Sequence, residues 1–363
     1  MACDPRREDY LRLGLRFART LNEGDPFASV RASSSFSRRY AYNREGLPQS
    51  DADRAFHLVA EATDLIDYQL PFASEDAVEQ LFEGASALLE EAVALDAHCH
   101  DARRMLGAAE SSSFESYYRF LADGAEEVRE DCERARTSSD NLPESQRRLA
   151  QSLSMLPFLR WRASEASRAL ICGHYTKAAK ICEELLSMER TDPCDVRFTY
   201  ALALAKLEDD EQLDLLARQC EQTLGRLSVI NPWMLLARLS LTFKQLNEKA
   251  ALGYLDRILH LYPHAAIVLS NQDELPDGVF ARLAVAPFSE DELILAVSEA
   301  SVLLQEGRSM SPKGALGSWL SNQPRVKAAL DKDPRYNHRL SAAEQDSAEQ
   351  ASQDEEDPRG RSV

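Results

Sequence analysis

The densest group of possible metal ligands in the sequence is His98-Cys99-His100-Asp101. Metal ligands usually lie two to four residues apart or one helical turn apart, so that their lone pairs converge. Adjacent side chains on a helix point in different directions. We therefore expect no metal at this run and interpret it as a junction between two helices, with Asp101 as the N-cap of the second helix.

Two other pairs have spacings that chemistry could use. His260 and His264 are four residues apart, which brings side chains together on a continuous helix. Pro263 lies between them and predicts that the helix ends there. Cys172 and Cys182 lie on opposite sides of a predicted helical hairpin, where packed thiols are expected rather than a redox pair.

Catalytic signatures are absent from the sequence. It has no glycine-rich phosphate loop, no dinucleotide-binding glycine fingerprint and no His-Glu-x-x-His motif. No two carboxylates are spaced in a way that marks a general acid and a general base. We expect no catalytic residue, no metal and no cofactor.

The charge composition narrows the classes of partner. The chain has 363 residues, 42 basic and 60 acidic, with a formal net charge of −18. Such an excess disfavours nucleic acid and anionic membranes, because both require clustered Lys and Arg. No apolar run is long enough to span a bilayer. The seven cysteines form no Cys-x-x-Cys pair, which is typical of thiols in a reducing compartment and predicts a cytoplasmic protein.

The segments that must position these residues have apolar side chains at helical spacing. This periodicity predicts an all-α fold. We divide the chain into an N-terminal helix with an irregular Ser/Arg-rich stretch (1–50), a helical region (51–156), a region of regular spacing (157–263), a helical extension (264–336) and a disordered acidic tail (337–363). The tail consists largely of Ser, Gln, Ala and acidic residues, a composition that cannot build a core.

In the first segment, the spacing of apolar residues predicts a helix over 5–21. Irregular structure is predicted over 24–50, where Ser, Gly and Pro are frequent. Arginines alternate with aromatic residues in the irregular part; they are Arg31, Arg38, Arg39 and Arg44. They could contact a phosphate or another anion. We favour a solvated loop whose aromatic rings pack on the body of the protein.

The second segment predicts a helix from Ser50 or Asp51, another capped by Ser74, a third over 101–110, and a pair over 114–136 and 143–156. In the third segment, breaks recur at prolines separated by 36, 39 and 31 residues. Helices are predicted between them over 158–172, 175–189, 194–207, 209–225, 233–246 and 248–261. In the fourth segment, Ser289 caps a helix that extends to about Glu306.

The turns within these units carry a family resemblance. Gly173-His-Tyr175-Thr-Lys-Ala178 places a glycine turn, an aromatic residue and a small residue in order, and Asn247-Glu-Lys-Ala250-Ala251 follows a similar order. With a period of about 34 residues, the region resembles the tetratricopeptide-repeat family. The resemblance implies an α-solenoid of stacked antiparallel helix pairs with a concave groove.

A looser likeness involves the order of segments. The run from Ala92 to Cys99, the following Asp101-Ala-Arg-Arg-Met-Leu and the later Leu275-Pro276 are similar to the suppression-of-tumorigenicity family of helical-repeat proteins. That family has no established catalytic residues to carry over. Its eukaryotic members have membrane-spanning segments, for which this sequence has no counterpart.

In such a solenoid the first helix of each pair lines the groove. Polar and aromatic residues on the predicted first helices are therefore candidate partner contacts: Arg162, Arg168, Arg197, Tyr200, Trp233 and Arg238. Arginine suits bidentate contacts with carboxylates. Tyr200 and Trp233 have an alternative role as core residues between helices.

These patterns predict a non-enzymatic scaffold or adaptor that binds a peptide or helix of a protein partner in its groove. An alternative is an enzyme or small-ligand receptor with a pocket where the 51–156 helices meet the repeats. A third hypothesis is a regulatory protein that oligomerises through an uncapped end of the solenoid. The sequence specifies neither the partner nor the oligomeric state.

Overall fold

The computed structural model describes residues 4–20, 28–272, 285–307 and 313–335, with side chains in the second range from Ser34 onward. Within these ranges all regular elements are helices, so the predicted all-α class is confirmed. The described residues divide into two compact units: the first comprises those up to Val229 together with Val285, and the second comprises those from Ile230 to Gln272 and from Ala286 onward. The tail over 337–363 lies outside the described residues.

The first unit contains ten α-helices among its described residues. They are α1 (Pro5–Arg19), α2 (Ala28–Tyr42), α3 (Asp51–Asp64), α4 (Glu75–Leu95), α5 (His100–Glu110), α6 (Phe114–Ser138), α7 (Glu144–Ile171), α8 (Tyr175–Met188), α9 (Val196–Leu207) and α10 (Asp210–Leu224). Helices that follow each other along the chain pack together, most extensively α3 with α4, α6 with α7, α7 with α8 and α8 with α9. A π-helical turn at Leu65–Gln69 and 3-10 turns at Arg44–Gly46, Leu70–Phe72, Ser139–Asn141 and Arg226–Val229 complete the unit.

Helix α2 corrects the prediction of irregular structure over 24–50. The ring centroid of Tyr10 on α1 lies 4.9 Å from that of Phe36 and 5.1 Å from that of Tyr40. Phe36 and Tyr40 are one helical turn apart, so a helix presents both rings to α1. This packing outweighs the weak helix propensity of the serine run. The expectation that the aromatic rings of this stretch pack on the body is confirmed for Phe36 and Tyr40 and is wrong for Tyr42, which is 87% exposed.

Local signals fix several helix starts and ends where the sequence predicts them. Ser50 and Asp53 form a capping box at α3: the Ser50 hydroxyl accepts from the Asp53 backbone N–H, and the Asp53 carboxylate accepts from the Ser50 backbone N–H at 2.8 Å. Gly173 follows α7 with φ +85°, a left-handed conformation that glycine adopts without strain. The predicted helices α8, α9 and α10 agree with the structure to within two residues at each end.

Helix α7 corrects the prediction of two helices separated at Pro157. Glu144–Ile171 form one helix with Pro157 inside it. A proline in a helix interior removes a backbone hydrogen bond and costs about 3 kcal/mol. Helix α7 buries Leu153, Phe158 and Trp161 among its packed neighbours, and this burial offsets that cost.

The second unit has seven α-helices among its described residues. They are α11 (Pro232–Lys244), α12 (Glu248–Leu261), α13 (Ala265–Asn271), α14 (Glu290–Glu299), α15 (Ser301–Leu304), α16 (Ala315–Asn322) and α17 (Pro324–Leu330). Ser289 caps α14 as predicted, since its hydroxyl accepts from the Glu292 backbone N–H at 3.1 Å. The single helix expected from Ser289 to about Glu306 is interrupted at Ala300, between α14 and α15. In the described ranges of the chain, no helix is both long and apolar enough to cross a membrane.

Candidate functional site

Two histidines and one carboxylate converge beside the start of α5. His98 Nδ1 lies 2.6 Å from Asp131 Oδ2, and His100 Nε2 lies 3.1 Å from the same oxygen. The three possible ligand atoms all lie within 4.8 Å of one another. Within the described ranges, this is the one group of three His, Cys, Asp or Glu side chains with ligand atoms so close.

A turn explains why the two histidines converge. The expectation that neighbouring side chains of this run point apart is wrong, because α4 ends at Leu95 and α5 begins only at His100. The Asp96 carboxylate accepts from the backbone N–H of His98 at 3.0 Å and fixes the turn. Both imidazoles therefore reach Asp131 on α6.

The two imidazoles differ in exposure. The side chain of His98 is 65% exposed and that of His100 is 3% exposed. Burial, with the nearby charge of Arg103, lowers the pKa of His100, which favours its neutral form. Burial raises the pKa of Asp131, but the hydrogen bond and charge of His98 outweigh it, so that this pKa is lowered overall. A neutral imidazole beside an ionised carboxylate is the protonation state that binds a metal cation.

The three side chains line a cleft of about 370 Å³ within the first unit, which we call the histidine cleft. Arg12, Arg16 and Arg19 of α1 also line it. Arg12 is paired with Glu8 at 2.7 Å, and Arg16 is paired with Asp53. The cleft has the size of a small-ligand site. Its imidazole and carboxylate groups can donate lone pairs to a cation, and its arginines can donate hydrogen bonds to an anion.

Arg160 of α7 joins two buried carboxylates from distant parts of the chain. Its Nη1 donates to Glu8 Oε2 at 2.6 Å, and its Nε donates to Asp101 Oδ1 at 2.6 Å. The prediction that Asp101 caps α5 is wrong, because Cys99 occupies the N-cap position and Asp101 lies in the first turn. Burial raises the pKa of Asp101, but the charge and hydrogen bonds of Arg160 outweigh it and lower the pKa to about 2.

A second pocket, of about 270 Å³, is lined by residues of α5, α7 and α9 together with residues just before α9. Its polar lining includes three arginines and three hydroxyl side chains: Arg104, Arg160, Arg168, Ser164, Ser167 and Thr199. The Arg168 guanidinium lies 5.2 Å from the ring centroid of Phe114, whose side chain is 53% exposed. Asp195 adds a carboxylate to the lining. We call this the arginine pocket.

The predicted partner contacts of the first unit fall at several places. Arg168 lines the arginine pocket, and Tyr200 is buried at a separate cleft of about 420 Å³ lined by α8, α9 and α10. Arg162 is paired with Glu165 and Glu184. These contacts hold the Arg162 guanidinium against its own unit.

The remaining predicted contacts are also held within the fold. Arg197 pairs with Asp192 at 2.8 Å and with Asp195 at 2.6 Å. Trp233, in the second unit, is buried, and its Nε1 donates to Glu299 Oε2 at 2.8 Å. Arg238 lies half-buried on α11. The structure therefore brings Arg168 and Tyr200 to pockets and places Trp233 in the core of its unit.

The other pairs considered in the sequence have structural roles. His264 lies beyond the end of α12, as the position of Pro263 predicts, and its Nδ1 lies 2.7 Å from Asp333 Oδ2. Cys172 and Cys182 are free thiols. Burial raises the pKa of Cys182, which disfavours the reactive thiolate.

Sequence reasoning misses the partners that complete these sites. Asp131 is 33 residues from His98, and Arg160 is 59 residues from Asp101. No local spacing connects residues that far apart. The available signal is the His-x-His alternation itself, if the segment is interpreted as a turn rather than a helix.

Comparisons with family models, with curated proteins and with solved structures found no match to this chain. The resemblance to tetratricopeptide repeats thus stays a prediction from helix spacing. The case for function depends on the residues of the sites.

Proposed function

We propose that this protein is a non-enzymatic scaffold or adaptor that binds an acidic peptide segment of a protein partner in the arginine pocket. The observation that carries the proposal is the grouping of Arg104, Arg168 and three hydroxyl side chains in one pocket of a chain with a net charge of −18. The third lining arginine, Arg160, is held by Glu8 and Asp101. Guanidinium groups bind carboxylates in bidentate geometry. Hydroxyl groups can donate to or accept from the backbone of an extended peptide.

An aromatic ring next to Arg168 also defines the kind of peptide. Phe114 is exposed beside Arg168, so an apolar side chain of the peptide can pack on this ring while a neighbouring carboxylate contacts the guanidinium. If the chain is a solenoid, α7 and α9 belong to the first helices of successive pairs, which line the groove. The cysteine pattern supports a cytoplasmic location for this interaction.

A peptide-binding measurement tests the proposal. The probe is a short fluorescein-labelled peptide of alternating Glu and Leu, compared with its Lys/Leu counterpart by fluorescence anisotropy. We expect Arg168→Gln to weaken binding of the acidic peptide about tenfold or more, equivalent to about 1.4 kcal/mol. Arg218→Gln, at an exposed position of α10, is the matched control and should leave the affinity unchanged. Equal affinity for both peptides, or equal effects of both variants, would contradict the proposal.

A second candidate function is a receptor for a small anion in the histidine cleft. The observation that favours it is the presence of Arg12, Arg16 and Arg19 around one cavity of about 370 Å³. The test is the thermal unfolding midpoint in phosphate and in citrate at matched ionic strength. Stabilisation that is lost in Arg19→Gln would favour this receptor, and unchanged midpoints would exclude it for these two anions.

A further inference from the structure

We infer that His98, His100 and Asp131 form a binding site for a divalent transition-metal ion, with zinc as the expected occupant. The ligand atoms of these residues lie within 4.8 Å of one another. In a tetrahedral zinc site with bonds of about 2.0–2.2 Å, donor atoms are roughly 3.3–3.5 Å apart. His100 and Asp131, at 3.1 Å, are already close to this separation.

His98 is the ligand that must adjust. Its Nδ1 is 2.6 Å from Asp131 Oδ2, so metal entry widens this separation by less than about 1 Å. Because the His98 side chain is 65% exposed, such a shift meets little resistance from packing. The turn before it stays fixed through the Asp96 carboxylate.

The donor set selects the class of metal. Two imidazole nitrogens and one carboxylate oxygen suit zinc and neighbouring transition metals, whereas calcium and magnesium require mainly oxygen ligands. Three protein ligands leave a fourth position of a tetrahedral zinc ion open. Since these ligands line the histidine cleft together with arginines, we expect water or an anionic oxygen at that position.

The surrounding side chains can support coordination. Arg134 donates to the other carboxylate oxygen of Asp131 at 2.8 Å, which orients that ligand. Arg103 Nη1 lies 3.3 Å from His100 Nδ1 and donates to Glu127 Oε1 at 2.7 Å. Coordination through Nε2 places the ring proton on Nδ1, so Arg103 keeps its contact with Glu127 and gives up the one with His100.

The test is zinc titration of the full-length protein, produced without a histidine tag and treated with a chelator. Calorimetry with zinc chloride alone should show one equivalent bound at the site. We expect His98→Ala and Asp131→Asn each to weaken zinc affinity at least about tenfold. His174→Ala, which removes an exposed histidine paired with Glu115, is the matched control and should bind zinc as the parent does.

Cobalt(II) substitution reports the geometry. A four-coordinate site gives strong visible absorption, and His98→Ala should abolish it. Circular dichroism of each metal-free variant identifies any that fails to fold; His98→Ala, at an exposed side chain, then provides the deciding comparison.

Absence of stoichiometric zinc binding, or binding that both ligand variants retain, would overturn the site. A weak, six-coordinate cobalt spectrum would overturn the zinc assignment in favour of the iron(II) type of two-histidine, one-carboxylate site. No peptide is present in these measurements, so their outcome is independent of the proposed peptide binding.

Discussion

At the scale of single residues, the defining feature of the first unit is a buried charge group that joins three helices. Arg160 of α7 bonds Glu8 of α1 and Asp101 of α5, and both carboxylates are buried. Glu8 also accepts from Arg12 at 2.7 Å, whereas the Arg160 guanidinium bonds both carboxylates at once. Loss of one partner of a buried ion pair leaves an uncompensated charge.

Arg160→Gln should therefore lower the free energy of unfolding by about 3–5 kcal/mol. Equilibrium unfolding in urea measures the change. Arg148→Gln provides a control on the same helix, since Arg148 is 86% exposed in its pair with Glu144 and should contribute little. Similar losses of unfolding free energy in the two variants would show that the buried group contributes no more to stability than the exposed pair.

Gly124 of α6 is a second residue whose identity is fixed by packing. A Cβ atom at this position would lie 2.7 Å from Trp161 Cζ2, and the Trp161 ring is anchored by its bond from Nε1 to the Leu121 carbonyl at 2.7 Å. Gly124→Ala should destabilise the protein by about 1–3 kcal/mol despite the better helix propensity of alanine. Gly84→Ala, where a Cβ meets only Leu65 at 3.6 Å, should be neutral or stabilising. Thermal and urea unfolding compare the two variants, and a stabilised Gly124→Ala would refute the packing argument.

At the scale of elements, most helices of the first unit could be predicted from local signals, but α2 and the continuity of α7 could not. Ser50 and Gly173 mark a start and an end through their own hydrogen bonds and backbone conformation, which the sequence displays directly. Helix α2 and the continuity of α7 depend on contacts with helices elsewhere in the chain. The same limit applies to the sites: His98 and His100 are visible in the sequence, whereas Asp131 joins them only through the packing of α6.

The continuity of α7 can be tested at its proline. Pro157→Ala restores a backbone donor toward the Leu153 carbonyl and should raise the free energy of unfolding by about 1–3 kcal/mol. Pro143→Ala, at the N-cap position of the same helix, removes no interior defect and should give no such gain. Urea unfolding of both variants distinguishes the cases. An unchanged free energy of unfolding in Pro157→Ala would contradict the continuity of α7 at this residue.

At the scale of the whole molecule, acid sensitivity follows from buried carboxylates. Burial raises the pKa of Asp9, but hydrogen bonds with His57, Arg44 and Tyr40 outweigh it, and its pKa, like that of Asp101, is lowered to about 2. Since these values lie below the ordinary value of 3.8, the stabilisation is fully present above about pH 4. It is lost as the pH falls from about 4 to about 2.

We expect each of these two carboxylates to account for about 2 kcal/mol of that loss. The measurement is the free energy of unfolding in urea at several pH values between 6 and 2. Asp101→Asn removes one titrating group, so its stability should fall less steeply below about pH 4 than that of the parent. An unchanged slope would contradict the role assigned to Asp101.

The group around Arg160 also affects the order in which the helices of the first unit can pack during synthesis. Glu8 precedes Arg160 by 152 residues. At about 5–20 residues per second, a ribosome needs roughly 8–30 s to reach Arg160 after Glu8. Throughout that interval Glu8 has Arg12 of its own helix as a partner, but Arg160 does not yet exist. The contacts of α1 with α7 therefore form only after α7 has emerged, so this part of the first unit is completed late.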